Sequence, residues 1–144
     1  KASRKMKKFF DMAFGEYNDR IAFYSLLASQ EIEGKPVYCD MYLHGKVGIF
    51  DDEWLTIGSA NVNSFSMEKH SEMNVAIKTP IAGVLRRHLW NEHLGQDIHA
   101  STTPHDAFML WAAAARATRE AREMGIIPTA RVIPFRPPYI FAPE

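Results

Sequence analysis

The length, composition and charge of the chain are those of an ordinary globular protein. With 144 residues, 47% of them hydrophobic, the chain is long enough to form one domain with a sizeable core. Its formal net charge is zero, which argues against a dedicated nucleic-acid surface. No run approaches the roughly 20 apolar residues of a membrane span, and the single cysteine, Cys39, excludes an internal disulfide.

The first predicted element is an amphipathic helix over residues 1–17. Apolar side chains recur in it at helical spacing, namely Met6, Phe9, Phe10, Ala13 and Phe14. We interpret the basic residues at its start as a solvated helix face rather than a nucleic-acid patch. A short strand is predicted at 20–27 and a loop at 29–35.

Apolar and polar residues alternate from 37 to 49, which predicts a strand because successive side chains of a strand point to opposite faces. One face would carry Val37, Cys39, Met41, Leu43, Val47 and Ile49. The other face would carry Tyr38, Asp40, Tyr42, His44 and Lys46. His44 and Lys46 are therefore expected to point the same way.

Two further strands are predicted after this alternating segment. The first covers residues 54–57, and the second covers 72–78, where the alternation resumes. In the second strand Glu72 and Asn74 would lie opposite an apolar face formed by Met73, Val75 and Ile77. Glu72 would then reach His44 across neighbouring strands.

Two helices and a proline-rich tail complete the chain. A helix at 81–94 is predicted from apolar residues at three- and four-residue spacing that should pack on the sheet: Val84, Leu85, Leu89 and Trp90. Thr103, Pro104 and Asp106 have the order of an N-cap, a first helical residue and an early acid, so a second helix should begin there and end at Gly125. Its packing side would carry Phe108, Trp111, Ala112 and Ala115.

These elements predict an α/β fold, with a mixed β-sheet flanked by helices. We assign residues 1–125 to one domain and residues 126–144 to a tail that is too rich in proline for a long helix. The tail should run extended over the surface of its own protein. Binding of its Arg-Pro-Pro-Tyr segment at 136–139 in the groove of a partner is the less favoured alternative.

Residues 44–61 place a nucleophile, a cation and an amide donor at short fixed spacings. The pattern consists of His44, Lys46, Asp51, Gly58, Ser59 and Asn61, in the arrangement His-x-Lys-x4-Asp-x6-Gly-Ser-x-Asn. It resembles the signature of the phospholipase D superfamily, whose members cleave phosphodiesters through a covalent phosphohistidine. The resemblance extends over about residues 20–95, because the segments at 72–75 and 85–95 are also similar to the family. It implies a phospholipase D-like half-domain.

The resemblance assigns the central catalytic work to three residues. His44 would be the nucleophile, and Glu72 would orient its ring so that the other nitrogen is free to attack. Lys46 would direct its ammonium group at the nonbridging oxygens, on which negative charge gathers during in-line displacement.

Three further motif residues have supporting roles. Asn61 would donate its amide N–H groups to the phosphate, and Ser59 would hold either the loop or a phosphate oxygen. Asp51 belongs to the catalytic motif by resemblance. Because it lies beside Asp52 in what reads as a turn, we expect it to act structurally, by binding backbone or a lysine or arginine.

We expect neither a metal nor another cofactor. No group of cysteines and histidines has zinc-binding spacing, and Lys46 would do the charge-neutralising work that a metal does elsewhere. The other histidines are interpreted mostly as solvated residues: His70, His88, His93, His99 and His105.

A single copy of the motif is not sufficient for the reaction that the resemblance implies. After His44 attacks phosphorus, a second group must protonate the leaving oxygen, and in this family that group is the histidine of a second motif. The second motif would come from a homodimer partner or from an N-terminal half. Residues 1–17 read as a helix entered midway, and from this we expect the C-terminal half of a two-motif enzyme.

The substrate class remains open at this point. A phospholipid is the first choice, with phosphatidyl transfer to water or to an alcohol and with peripheral membrane contact, because the segment at 89–95 is similar to long phospholipase D enzymes and the chain is neutral. The alternatives are a nuclease of the same superfamily, for which the neutral charge is less suitable, and a noncatalytic module that binds phosphate or pairs with a partner. The sequence does not indicate a cellular compartment.

Overall fold

A computed structural model describes residues 11–12, 15 and 20–135, with only the backbone described at 64 and 65. The described residues fall into two compact units. The first takes its residues from Lys1–Met41 and Ser101–Glu144, and the second is Tyr42–Ala100. Most of the helix predicted at 1–17 lies outside the described residues, and the assignment of a catalytic domain to 1–125 stays a prediction.

The first unit contains a three-stranded antiparallel sheet in the order β2, β1, β6. The strands are β1 (Tyr24–Ile32), β2 (Lys35–Met41) and β6 (Val132–Pro134). Pairing of Ile32 with Lys35 leaves only Glu33 and Gly34 in the turn between β1 and β2, both with positive φ, as a two-residue hairpin turn requires. The predicted end of the first strand at 27 and the loop at 29–35 were therefore wrong.

Part of the segment after the last long helix is a strand of the sheet. In β6, Val132 pairs with Leu26, and its side chain is completely buried. The amide of Leu27 also donates to the carbonyl oxygen of Arg131 at 2.7 Å. This part of the tail contributes to the core of the first unit rather than lying over its surface, while residues 136–144 are outside the described residues.

The long helix of the first unit begins and ends where the sequence predicted. Pro104 is its first residue and Glu123 its last. The Thr103 hydroxyl accepts a hydrogen bond from the Asp106 amide at 3.1 Å, which satisfies one of the free N–H groups at the helix start. Gly125 follows the end in a left-handed conformation, with φ of 69°. The ring of Trp111 on the predicted packing side contacts Tyr24, at 5.2 Å between centroids.

The second unit contains a separate three-stranded antiparallel sheet in the order β3, β4, β5. Its strands are β3 (Val47–Phe50), β4 (Trp54–Gly58) and β5 (Asn74–Lys78). Two helices belong to this unit, α1 (Ser64–Glu68) and α2 (Ile81–Leu94), and α3 (Pro104–Glu123) is the long helix of the first unit. The predicted α/β fold is confirmed, and the described strands pair only in the antiparallel sense, in two sheets.

Helix α2 has the predicted bounds and packs against β3, but its burial differs from the prediction. Its buried residues are Ala82, Gly83 and Leu94, whereas Val84 is 43% exposed. The helix is therefore buried at the small residues of its first turn and at Leu94, while the predicted packing residues between them are only partly buried or exposed.

The continuous strand predicted at 37–49 is interrupted in the structure. Strand β2 ends at Met41 and β3 begins at Val47, and the two strands belong to different sheets. Residues 42–46, with His44 and Lys46, are irregular. Gly45 lies in the middle of this break, and glycine is among the residues least favoured in strands.

The last strand of the second unit also differs from its prediction. It begins at Asn74 rather than at residue 72. The side chains of the predicted apolar face are exposed within the described unit, with 78% of Met73, 53% of Val75 and 48% of Ile77 accessible. Alternation therefore predicted the strand but not the burial of its face.

Candidate active site

The motif residues lie in the second unit, at the two ends of the hairpin formed by β3 and β4. We call the turn at 51–53 its closed end and the opposite end its open end. Lys46 directly precedes β3 and Ser59 directly follows β4, so both lie at the open end. The Gly58 amide donates to the Lys46 carbonyl oxygen at 3.2 Å, which joins these two parts of the motif. Asp51 lies at the closed end, away from both.

Ser59 connects the loop after β4 to Glu72. Its hydroxyl donates to the Glu72 carboxylate at 2.5 Å and accepts a hydrogen bond from the Met73 amide at 3.1 Å. The Ser59 amide also donates to the Met73 carbonyl oxygen at 3.0 Å. Of the two roles predicted for Ser59, these contacts correspond to holding the loop.

Hydrogen bonds and nearby positive charge favour the ionised form of the Glu72 carboxyl. The Ser59 hydroxyl, and after it the Ser66 hydroxyl, hold the pKa of Glu72 below its usual range, with smaller contributions from His70 and Lys46. The side chain of Ser66 is almost fully buried in α1. The sequence alone had given no reason to include Ser66, because a serine in a short helix has no local signature of this contact.

His44 is exposed in the segment before β3. Its ring lies 6.0 Å from that of Tyr42, and its carbonyl oxygen accepts a hydrogen bond from the Lys46 ammonium at 2.6 Å. Among the described residues, no hydrogen bond joins Glu72 to His44. The orienting role of Glu72 therefore stays a prediction, although Glu72 and Lys46 are close enough to interact electrostatically.

Asn61 is exposed just beyond the open end of the hairpin. Its carbonyl oxygen accepts a hydrogen bond from the Asn63 amide at 2.8 Å, which turns the chain toward α1. Within the described part of the chain its side-chain amide makes no hydrogen bond, so its N–H groups are available to a ligand.

Asn74 on β5 holds the same loop from the other side. Its side-chain oxygen accepts a hydrogen bond from the Ala60 amide at 3.1 Å. Asn74 pairs with Gly58 across the sheet, and a Cβ on Gly58 would overlap both the Asn74 side chain and the Met73 carbonyl oxygen. Gly58 is therefore needed for the close approach of β4 to β5.

Substitution of Gly58 by alanine should destabilise the second unit. Because the added methyl group would meet backbone as well as a side chain, we expect a loss of about 2 kcal/mol in the free energy of unfolding. Urea denaturation measures this loss. Gly45→Ala is the matched control, since a Cβ there meets no atom within 4 Å. Equal stability of the two variants would contradict the close approach.

The contact predicted for Asp51 is made by its neighbour Asp52. Both residues have positive φ, 52° and 59°, in the turn at the closed end of the hairpin. The Asp52 carboxylate accepts two hydrogen bonds from the Arg86 guanidinium, at 2.5 Å from Nε and 2.7 Å from Nη2. These bonds hold the pKa of Asp52 below its usual range, and the charge of Arg87 acts in the same direction.

The lowered pKa of Asp52 predicts a pH dependence of stability. A carboxyl whose pKa is lower in the folded state stabilises the protein above its unfolded pKa, and that stabilisation is lost as the pH falls through the folded value. From about pH 6 to about pH 2.5 we expect the wild type to lose about 1 kcal/mol more than Asp52→Asn, since solvent screens the exposed part of the pair. Urea titrations of both proteins across this range measure the difference. Parallel curves would contradict a charged pair.

Two other properties of the described residues bear on the site. No group of three or more histidine, cysteine, aspartate or glutamate side chains among them is arranged to hold a metal ion. The described helices also include none with the length and apolar character needed to cross a membrane.

Comparison with known proteins relates the chain to one family. A family model described as cardiolipin synthase, PLD-like domain, matches residues 5–92. Phospholipase D A of Dictyostelium discoideum is 32% identical over 115 residues, covering 67% of this chain and 9% of that protein. Phospholipase D zeta 1 of Arabidopsis thaliana is 35% identical over 98 residues, covering 54% and 9%. Phospholipase D alpha 1 of Spuriopimpinella brachycarpa is 41% identical over 68 residues, covering 38% and 8%. The chain thus spans less than a tenth of the length of these relatives.

Proposed function

The chain belongs to the phospholipase D superfamily, and from this premise we propose that it cleaves or transfers phospholipid phosphodiesters through a covalent phosphohistidine at His44. The observation that carries the proposal is the grouping of Lys46, Ser59 and Glu72 at one end of a hairpin. Ser59 bonds to Glu72, Gly58 bonds to the Lys46 backbone, and Lys46 bonds to the His44 backbone. A cation, a fixed carboxylate and a histidine are thus joined by a short series of contacts.

The proposed reaction has two displacement steps. A ring nitrogen of His44 attacks phosphorus, a P–N bond forms, and the P–O bond to the head group breaks as the leaving oxygen takes a proton from an acid. Water, or an alcohol, then attacks the phosphohistidine, breaks the P–N bond and gives its proton to the same acid, now acting as base. The products are the released alcohol and either phosphatidic acid or a new phosphodiester.

The other site residues would have supporting roles in this reaction. Lys46 and the Asn61 amide would face the nonbridging oxygens of the phosphate, where charge increases in the transition state. Ser59 would hold the loop that presents Asn61, and Glu72 would accept a hydrogen bond from the His44 ring nitrogen that does not attack. Asp51 would act structurally, as part of the turn at the closed end.

The acid in this reaction must come from a second motif. In the proposal it belongs to an N-terminal half or to a homodimer partner, so the chain supplies half of the active site. The names of the relatives, all phospholipases D, support phospholipid as the substrate. Contact with the membrane would be peripheral.

The test combines oligomeric state with activity and adduct formation. Light scattering gives the state of the chain, a chromogenic phosphodiester and phosphatidylcholine vesicles give its turnover, and mass spectrometry after rapid quenching detects a phosphoryl adduct on His44. A dimer with turnover means a symmetric site formed by two copies. A monomer that becomes active only when an N-terminal half is added means a site completed by that half.

Other outcomes would reject the proposal. Salt-sensitive binding and cleavage of DNA without turnover of lipid would identify a nuclease, because lysine and arginine contacts to phosphates release counterions. Binding of phosphate analogues without any adduct, in either assembly, would identify a noncatalytic module.

A further inference from the structure

Arg86 and Asp52 form a tightly matched ion pair in the second unit. The two bonds from Nε and Nη2 to the two carboxylate oxygens, at 2.5 and 2.7 Å, have the parallel geometry that gives an arginine pair its directional specificity. Only 19% of the Arg86 side chain and 41% of the Asp52 side chain are exposed. This pair is therefore less screened by water than an ordinary surface salt bridge.

Neighbouring residues of α2 fix both members of the pair. The Arg86 guanidinium lies over the Trp90 ring, 4.3 Å from its centroid and one helical turn farther on. Gly83, one turn earlier, is buried against Asp52, and a Cβ there would lie 3.0 Å from the Asp52 Cβ. The hairpin turn at 51–53 thus contacts α2 at Gly83 and at Arg86, which lie on the same face of the helix.

This contact anchors the closed end of the hairpin that carries the site. Strand β3 has four residues and β4 has five, so only a few residues separate the closed end of the hairpin from its open end. At the closed end the Thr79 amide also donates to the Glu53 carbonyl oxygen at 2.7 Å, just before α2 begins. At the open end Lys46 is bonded to Gly58, and Ser59 to Met73. The hairpin therefore links the contact with α2 at its closed end to the motif residues at its open end.

We propose that Arg86 is a positioning residue for the phosphodiester site, because it fixes the closed end of the hairpin whose open end carries Lys46 and Ser59. The inference rests on the proposed function for its effect on turnover. Arg86 does not touch the substrate, and it acts through Asp52 and the two strands. Its sequence distance of 34 residues from Asp52 explains why no local pattern points to it.

Hydrogen exchange together with kinetics tests this role. Arg86→Lys keeps the charge but loses the two-pronged bond, and Asp52→Asn removes the charge while tolerating a left-handed backbone. In both variants, with secondary structure intact, the Gly58 and Ser59 amides should exchange about tenfold faster. The Leu27 amide, which donates to Arg131 in the first unit, should be unchanged. The matched control is Arg116→Lys on the exposed side of α3.

In the active assembly both variants should lower kcat by about tenfold to a hundredfold with little change in KM, because misplaced groups lose transition-state contacts first. The double variant should be no worse than either single variant, since the two residues act as one pair. If Arg86→Lys does not fold, Asp52→Asn alone supports the same test.

Two results would overturn the proposal. Normal exchange at Gly58 and Ser59 in a folded variant would show that the pair does not hold the open end. Faster exchange with normal kcat would show that Arg86 only stabilises the unit. Should the wild type show no turnover and no adduct, the proposed function fails, and the exchange rates still decide whether Arg86 holds the motif segment.

Discussion

Replacement of His44 by alanine is expected to abolish the phosphoryl adduct and to lower turnover by about a thousandfold or more, since removal of the proposed nucleophile eliminates the covalent route. The exposed ring of His44 lies in the irregular segment before β3, so its loss leaves no buried cavity and stability should be almost unchanged. Quenched-flow mass spectrometry and steady-state kinetics of the paired assembly measure the two effects.

The matched control for this experiment is His88→Ala. His88 is also exposed and lies in the same unit, on α2. It should retain the adduct and the wild-type rate. An adduct that survives in His44→Ala would place the nucleophile elsewhere and remove the basis of the proposed mechanism.

Helices α2 and α3 were predictable from sequence because their signals are local, whereas the short helix α1 was not predicted. Thr103, Pro104 and Asp106 lie within one turn and supply the cap that the structure contains. Gly95 and Gly125 follow the two helix ends in left-handed conformations. Such signals need no knowledge of the rest of the fold, and both helices have the predicted starts and ends.

The strands were less predictable because their partners are distant in sequence. Alternation from 37 to 49 suggested one strand, but β2 pairs with β1 and β3 with β4, and the irregular residues 42–46 lead from one sheet to the other. Val132 pairs with Leu26 from the far end of the chain. No local pattern distinguishes such a strand from an extended tail.

The site was predicted as a set of residue types but not as a network. The motif spacing gave His44 and Lys46 together, and the family resemblance gave Glu72. The link from Glu72 to Ser59, and the overlap that a side chain at Gly58 would cause with Asn74, depend on the register of β4 and β5. In that register Gly58 pairs with Asn74, 16 positions later in the sequence. The motif spacing alone does not specify this pairing.

Substitution of Lys46 by methionine is expected to lower kcat by about a hundredfold to a thousandfold, because a side chain of similar length remains while the charge that faces the developing phosphate oxyanion in the proposed mechanism is lost. KM should change less, since the charge is worth most in the transition state. Steady-state kinetics with a chromogenic phosphodiester, on the chain assembled with its second motif, measure both constants.

The same substitution has a second consequence at Glu72. Lys46 is one of the positive charges that lower the pKa of Glu72, so its removal should move that pKa upward, toward the ordinary value, while the Ser59 bond remains. The acid limb of the pH–rate profile should then shift to higher pH if ionised Glu72 is needed for turnover. The control is Lys35→Met on β2, whose exposed lysine lies in the first unit and should leave both the rate and the pH profile unchanged. A normal kcat for Lys46→Met would mean that Lys46 does not face the phosphate, and the assignment of the cation in the motif would be wrong.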